Sequence, residues 1–452
     1  MMTEPMLPAA KGGRRAAEQR LAAIDPARYG ATRNHLDGAV TGLSPYIRHG
    51  VLTLAEVREA VFERLLARGE FESTLQTELF ASVPAGRHCS PVQRRAGEKL
   101  INELGWRDYW QRLWHQLGDG IWVDREPLKT GHPPEAYAPE LPAELAAAST
   151  GLACMDAFAA ELMGTGWLHN HARMWLAAYV VHWRRVRWQA GARWFLQHLL
   201  DGDPASNNLS WQWVASSFSH KPYIFNRANL ERFSAGRYCG DCPLARGGCP
   251  FDASYEALQA RLFTPLGSHT DTRPPHAAQA VEPQPPPFPL PAPVPPRRPL
   301  LWVHGEALGP ANPALRAHPG APALFVFDEP LIQGRTTTTG GAPLAAGRLR
   351  FLRECLAELP VAVTQGDVAV ELLAAASACG ADGIVTSRAV DPRFGEIALQ
   401  LSAVLRLQVL DPEPFVDLPH TGPGAPDLRR FSRYWRRAEP LVWAVGSSQE
   451  PA

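Results

Sequence analysis

Two stretches of the chain hold residue types whose spacing suits chemistry. Residues 238–251 read YCGDCPLARGGCPF, where Cys239 and Cys242 form a CxxC pair and Cys249 follows after six intervening residues. Two thiolates at that spacing can bite one metal, and a glycine-rich loop lets a third return to it. Such a site needs a fourth ligand, and Cys154, Cys89, Cys355 and Cys379 are the candidates. The second stretch is a pair of segments, TGWLHNHARM at 165–174 and DGDPASNNLSWQW at 201–213. The latter reads as a helix end running into a loop with two acids and two asparagines beside paired indoles. Each part alone has an ordinary explanation: Asp201 or Asp203 as a helix cap, Arg173 as a solvated cation, the tryptophans as core.

The elements that must position these residues change character along the chain. At 452 residues there is room for two or three domains. Hydrophobic residues at 45% and charged residues at 20% describe a folded globular protein and exclude disorder along most of the length. Lysine plus arginine equals aspartate plus glutamate at 45 each, so no global charge advertises nucleic acid or membrane. No apolar run reaches the ~18 residues of a membrane span, and the first 30 residues carry no apolar signal core, which predicts a cytoplasmic protein without a membrane partner. Seven cysteines in such a chain argue for metal binding or burial over disulfides. Cys355 and Cys379 fall on apolar helical faces and are expected in the core, while Cys89 has no assignment.

Arg273–Leu300 is a polyproline-biased spacer that cannot build a core. Before it, apolar residues recur at helical spacing over 54–69, 97–118, 155–166 and 191–202, and eleven of the fourteen tryptophans precede residue 214. After it, short apolar runs at 300–305, 323–328, 361–366, 383–388 and 407–411 alternate with helical stretches at 344–359, 367–380 and 393–405. That alternation predicts a parallel, doubly wound sheet. The expected architecture is an all-α domain over 1–265, a proline-rich linker over 266–299 and a Rossmann-like α/β domain over 300–445.

Taken together, the two tryptophan-bearing segments resemble the flavin-binding domain of the cryptochrome/photolyase family. That family carries a TGWxHNRxRM-like run followed by L-x-D-x-D-x-A-x-N-x-x-x-WQW. Upstream, Tyr29 with TGLSPYIRHGVLT (41–53) looks like its phosphate clamp, and ELGWRDYWQRL (103–113) like its ExxWRxFY helix. The resemblance covers roughly residues 25–215 and implies FAD as cofactor. A diphosphate needs hydroxyl and backbone donors at a helix start, which Thr41, Gly42, Leu43 and Ser44 can supply. Carried over residue by residue, Arg173 would pair with Asp201 beside the isoalloxazine, Asp203 would accept from the flavin N3–H, and Asn207 would face N5. Tyr29, Arg107, Trp167 and Asn170 complete the implied cofactor set. Trp211 and Trp188 match two of the family's three photoreducing tryptophans, and Tyr137 is the oxidisable side chain closest to the place of the third.

On the substrate side, Glu103, Trp106, Asn170, Met174 and Trp213 match positions that hold a flipped pyrimidine dimer. Asn170 and Met174 stand where (6-4) photolyases place two histidines, and His171 replaces an arginine used near DNA. From Met163 to Pro250 ten basic residues stand against four acidic ones, a net of +6 that suits phosphate docking. Residues 221–255 resemble the C-terminal piece of iron–sulfur bacterial cryptochromes and photolyases, which implies Cys154 as fourth ligand and a [4Fe–4S] cluster on Cys154, Cys239, Cys242 and Cys249. A structural zinc on the same thiolates and a metal-free thiol cluster are the alternatives. Residues 299–437 resemble the family's α/β domain, which normally comes first, so a circular permutation is implied; no antenna chromophore can be named. The reading is a monomeric, light-driven photolyase-like lyase that transfers an electron from reduced FAD to a cyclobutane pyrimidine dimer in DNA. Its rivals are a cryptochrome-type blue-light receptor without repair and a light-independent iron–sulfur nucleic-acid-binding protein.

Overall fold

The computed structural model describes residues 10–73, 89–263 and 295–444. Most of the proline-rich spacer, residues 264–294, lies outside them, so the linker expectation rests on composition. Up to Leu262 the regular elements are helical apart from one isolated bridge between Ala138 and Val186. Six helices carry the site: α1 (Leu54–Ser73), α2 (Pro91–Leu117), α3 (Ala153–Thr165), α4 (Asn170–Ala178), α5 (Trp188–His198) and α6 (Pro204–Ala215). Their ends follow local chemistry. Ser90 and Gln93 form a reciprocal capping box at the start of α2, with Pro91 at the first helical position. Asp203 caps α6 by accepting from the Ser206 N–H at 2.8 Å.

From Pro299 onward five strands, β1 (Pro299–Val303), β2 (Ala323–Asp328), β3 (Ala362–Gly366), β4 (Gly383–Ser387) and β5 (Arg406–Leu410), form one parallel sheet. Its order is β3-β2-β1-β4-β5, the doubly wound arrangement the alternating texture predicts. Helices α7 (Ala346–Leu356), α8 (Val368–Cys379) and α9 (Pro392–Ser402) connect the strands, and α10 (Phe431–Ala444) ends the described chain.

Side-chain alternation divides the sheet between two cores. Leu300, Trp302, Leu324 and Ile384 point into a cluster with α8 and α9. Leu301, Val303, Phe325 and Val385, one residue out of phase, join a cluster that also contains Tyr46, Leu104 and Tyr109 of the helical half. The two halves therefore share one apolar core. Helix α10 and the residues just before it reinforce the junction: Phe431 stacks on Trp106 at 3.8 Å with the rings 10° apart, and the Tyr109 hydroxyl donates to the Leu428 carbonyl at 2.8 Å. Gly105 is obligatory there, because a Cβ would fall 2.1 Å from the Trp435 ring. Cys355 is buried as expected and accepts from the Gly13 N–H at 3.2 Å, whereas Cys379 is exposed and is not core. It is the last residue of α8, whose buried side chains are Val368, Ala369, Leu372 and Ala376.

Candidate functional site

A cavity of about 640 Å³ opens between α2, α4, α6, the short helix Pro26–Thr32 that carries Tyr29, and the loop at Thr41. That size lies within the ~300–1,000 Å³ typical of cofactor sites. Its floor is the loop joining α5 to α6. There Arg173 Nη2 meets Asp201 Oδ2 at 2.9 Å, while Arg173 Nε donates to the Leu168 carbonyl at 2.7 Å. The pairing of Arg173 with Asp201 is thus formed. Asp201 keeps its second oxygen, Oδ1, buried and without a hydrogen-bond partner.

Asp203 is differently occupied. It is bound by Arg107 Nη1 at 2.6 Å, by Gln111 Nε2 at 3.0 and 3.1 Å, and by the Ser206 N–H. Burial alone would raise its pKa, but Arg107, Arg48 and the Ser206 donors outweigh it and hold the carboxyl below its ordinary value. The acceptor left open on the floor is therefore on Asp201, while Asp203, expected to accept from the ligand, anchors the start of α6. Asn207 also lines the cavity, its amide nitrogen donating to the Ala192 carbonyl and Asn208 Oδ1 at 3.0 Å each.

Thr41, Gly42, Ser44, Tyr29, Arg107 and Trp167 all line the cavity. Leu43 does not: as N-cap of the short helix Ser44–Arg48 it turns into the core, 1% exposed. Gly42 adopts φ +62°, and a Cβ there would sit 2.4 Å from Arg20 Nη1. Arg20 is a cation beside the hydroxyl loop that sequence reasoning missed, since nothing in its own helix marks it.

At the mouth, Glu103 is paired with Arg33, and its side chain remains 38% exposed. Burial pushes the carboxyl pKa up, with Arg33 and Lys99 acting in the opposite sense. Trp106 follows one turn along α2, backed by Phe431. Asn170 Nδ2 lies 3.8 Å from Met174 Sδ, and Trp213 stands 38% exposed beside Tyr223. All five expected substrate residues line this one cavity. His171 lines it too, and burial followed by the Arg33 charge lowers its pKa to about 4, so it stays neutral at physiological pH.

Trp211 lines the cavity, 2% exposed, its ring packed so closely on α5 that a Cβ at Gly191 would fall 2.2 Å away. Trp188, at the start of the same helix, donates its indole N–H to Asp124 at 2.6 Å. The ring stacked on Trp188 is Trp122, with centroids 6.3 Å apart and planes 10° apart, and it is half-buried. Tyr137, expected as the outer redox residue, is 4% exposed with its hydroxyl 2.7 Å from Thr130 Oγ1. Trp122 was not legible as a partner because a five-residue 3₁₀ turn, not a periodic element, presents it.

The cysteines form a second centre. Cys154, Cys239, Cys242 and Cys249 surround one apolar recess with Leu152, Leu230, Tyr238 and Phe251. Cys154 opens α3, while the other three lie on the turn-rich segment that follows the helix Arg227–Ser234. Arg227 fastens that segment by donating to the Ala245 carbonyl at 2.8 Å and pairing with Asp252 at 3.0 Å. Burial, then the neighbouring thiols, raise the Cys154 pKa, and burial with Glu231 pushes Cys239 to about 11. Among the described residues no group of three or more His, Cys, Asp or Glu side chains is arranged to hold a metal ion.

Residues 100–235 match the family model described as the FAD binding domain of DNA photolyase. The deoxyribodipyrimidine photo-lyase of Streptomyces griseus is 37% identical over 153 residues, covering 33% of this chain and 33% of that protein. The one from Synechococcus is 30% identical over 225 residues, 46% of this chain and 40% of that protein. The chain thus spans well under half the length of the relatives it matches. A bacterial class III photolyase structure from Agrobacterium tumefaciens aligns at 21% identity with a TM-score of 0.39, over 55% of this chain and 54% of that one. No described helix is long and apolar enough to cross a membrane. Residues 100–235 are thus similar to the FAD binding domain of DNA photolyase.

Proposed function

We propose that this chain is a light-driven DNA repair flavoprotein that splits cyclobutane pyrimidine dimers. The observation that carries it is the convergence of Glu103, Trp106, Asn170, Met174 and Trp213 at the mouth of the cavity whose floor is the Arg173–Asp201 pair. The residues fit FAD: the volume suffices, hydroxyls and Arg20 stand ready for phosphates, and the unpartnered Asp201 Oδ1 offers an acceptor for a ring N–H. When bound, the flavin supplies light absorption and the one-electron donation that opens the dimer. The protein's own part is to hold and shield. Trp106 and Trp213 give aromatic walls for unstacked bases, Glu103 a hydrogen bond to a base edge, and His171 adds no charge. A dimer already distorts the duplex, so it costs less to flip than intact bases.

Trp211, Trp188 and Trp122 provide oxidisable rings leading from the cavity outward. Trp122→Phe should slow the light-driven loss of oxidised-flavin absorbance, measured with an external thiol, by about tenfold, the equivalent of ~1.4 kcal/mol of barrier. Tyr137→Phe should leave that rate unchanged.

What supports a [4Fe–4S] cluster on Cys154, Cys239, Cys242 and Cys249 is that these four cysteines line one recess, with a structural zinc on the same thiolates as the alternative. The α/β half reads as the family's usual leading domain moved behind the helical one, a change that a long surface spacer tolerates. The test of the function is illumination of reduced protein with a thymine-dimer oligonucleotide. Dimer content should fall in the light and hold in the dark; unchanged content in the light would exclude the repair reading.

A further inference from the structure

The walls of the cavity are helical, but its floor is held from beneath by the other half of the chain. The loop carrying Asp201 and Asp203 runs from Leu199 to Asp203 between α5 and α6. On α7, Arg348 is 6% exposed and donates to the Leu196 carbonyl and, at 3.2 Å, to the Gly202 carbonyl. Arg48 Nε donates to that same Gly202 oxygen at 3.1 Å, and its Nη1 meets Glu306 at 2.7 Å. His49 spans the Gly305 and Leu200 carbonyls at 2.7 and 3.1 Å, and the Ala345 N–H donates to the Gln197 carbonyl at 2.9 Å. The peptide between the two floor carboxylates therefore accepts from two guanidiniums, one from each half. A Cβ at Gly202 would lie 3.1 Å from Arg348 Nη1, so the loop rests directly on that group.

Packing does not explain such a residue. Two buried guanidiniums side by side repel, and Arg348 Nε has no partner. Burial and then Arg48 lower the Arg348 pKa to about 9, with Asp201 and Asp203 acting in the opposite sense. An apolar side chain of similar volume would fill the space at lower cost, and buried charge retained against that cost is best attested where it fixes one arrangement over others.

We propose that Arg348 is a positioning residue for the flavin: by clamping the Gly202 peptide it sets where Asp201 presents its free oxygen, so the α/β half completes the cofactor site. This rests on the reading that the cavity holds FAD. The experiment uses the full chain as wild type, Arg348→Met and Arg348→Lys. FAD is titrated into each apoprotein, visible absorption and circular dichroism are recorded at saturation, and melting is followed.

Arg348→Met should weaken FAD binding by about tenfold, within the usual range of coupling between elements. At full occupancy its flavin bands should differ from wild type in position and dichroism. Arg348→Lys should recover part of the affinity but not the dichroism, since a shorter side chain ending in a compact ammonium lacks the planar fork that spans the Leu196 and Gly202 carbonyls. Wild-type affinity and spectrum in Arg348→Met would overturn the proposal, as would weakened binding that merely tracks a lower melting temperature with an unaltered spectrum. Should Arg348→Met fail to fold, Glu306→Gln frees Arg48 from the same clamp and should give a smaller spectral change; none would equally overturn it. Wild-type protein that takes up no FAD would sink the reading of the cavity itself, and the clamp's role with it. Uptake by wild type with unchanged variants sinks the clamp alone.

Discussion

Glu103→Ala should lower dimer repair by roughly 10- to 100-fold while leaving FAD content at the wild-type level. The size follows from losing one hydrogen bond to a charged or strongly polar partner, about 1.5–3 kcal/mol. The selectivity follows from position. Glu103 stands at the mouth, 38% exposed and paired with Arg33, whereas the floor is held by Arg173, Asp201, Asp203 and Arg107. Removing the carboxylate leaves Arg33 without its counter-ion beside His171, on the side where a base would enter. Glu103→Gln keeps a hydrogen-bonding end and should lose much less. Because burial raises the Glu103 pKa, its protonated form persists to higher pH than for a free glutamate, and that form can donate to a base carbonyl. Repair by wild type should accordingly fall as the pH rises through that raised pKa, a decline the Gln variant should lack. Repair rates from single-turnover flashes across pH would measure both. A Glu103→Ala protein repairing at the wild-type rate would remove Glu103 from the substrate site.

The helical period and the strand–helix alternation made both halves legible, because each element buries one continuous apolar stripe or run. What stayed hidden depends on contacts between distant segments. No local pattern says that Phe431 will back Trp106, or that Gly105 must admit Trp435, since those pairs are joined only when α10 folds onto α2. Trp122 is silent for the same reason, its stack on Trp188 being set by a 3₁₀ turn. Asp203 was expected to accept from the flavin N3–H and Asp201 to pair with Arg173; only the neighbours Gln111 and Arg107, more than ninety positions upstream of Asp203, show that it is Asp201 that keeps an open oxygen. Leu43 can contribute to the donor loop only through its backbone, because its apolar side chain packs into the core. Arg348 carried no signal at all, because its partners are backbone carbonyls.

Cys154→Ser should abolish the iron and acid-labile sulfide of the purified protein and lower the first melting transition by roughly 5–10 °C, at ~2–4 °C per kcal/mol for a domain of this size. Cys154 lies apart in sequence from the other three thiols and opens α3, whose Phe158 packs on Tyr238 and Trp175. A cluster at the recess would therefore tie the turn-rich 238–251 segment to the helical core, and binding energy of this kind is folding energy. Without it, the segment is held by Arg227, Phe251 and a few backbone bonds, with Gly248 at φ +95°. The three assignments separate cleanly. A [4Fe–4S] cluster gives about four irons and four sulfides per chain with a brown absorption that Cys154→Ser loses. A structural zinc gives one zinc and no iron, and the same variant loses it. A metal-free thiol group gives neither, and the serine then costs only ~1–2 kcal/mol, the loss of a small buried side chain's fit. Flavin content is the internal control: the recess is lined by residues distinct from those of the cavity, so FAD should survive the substitution that removes the metal. Loss of both together would mean that the cluster supports α4 and the floor through α3, and that the two centres are one structural unit.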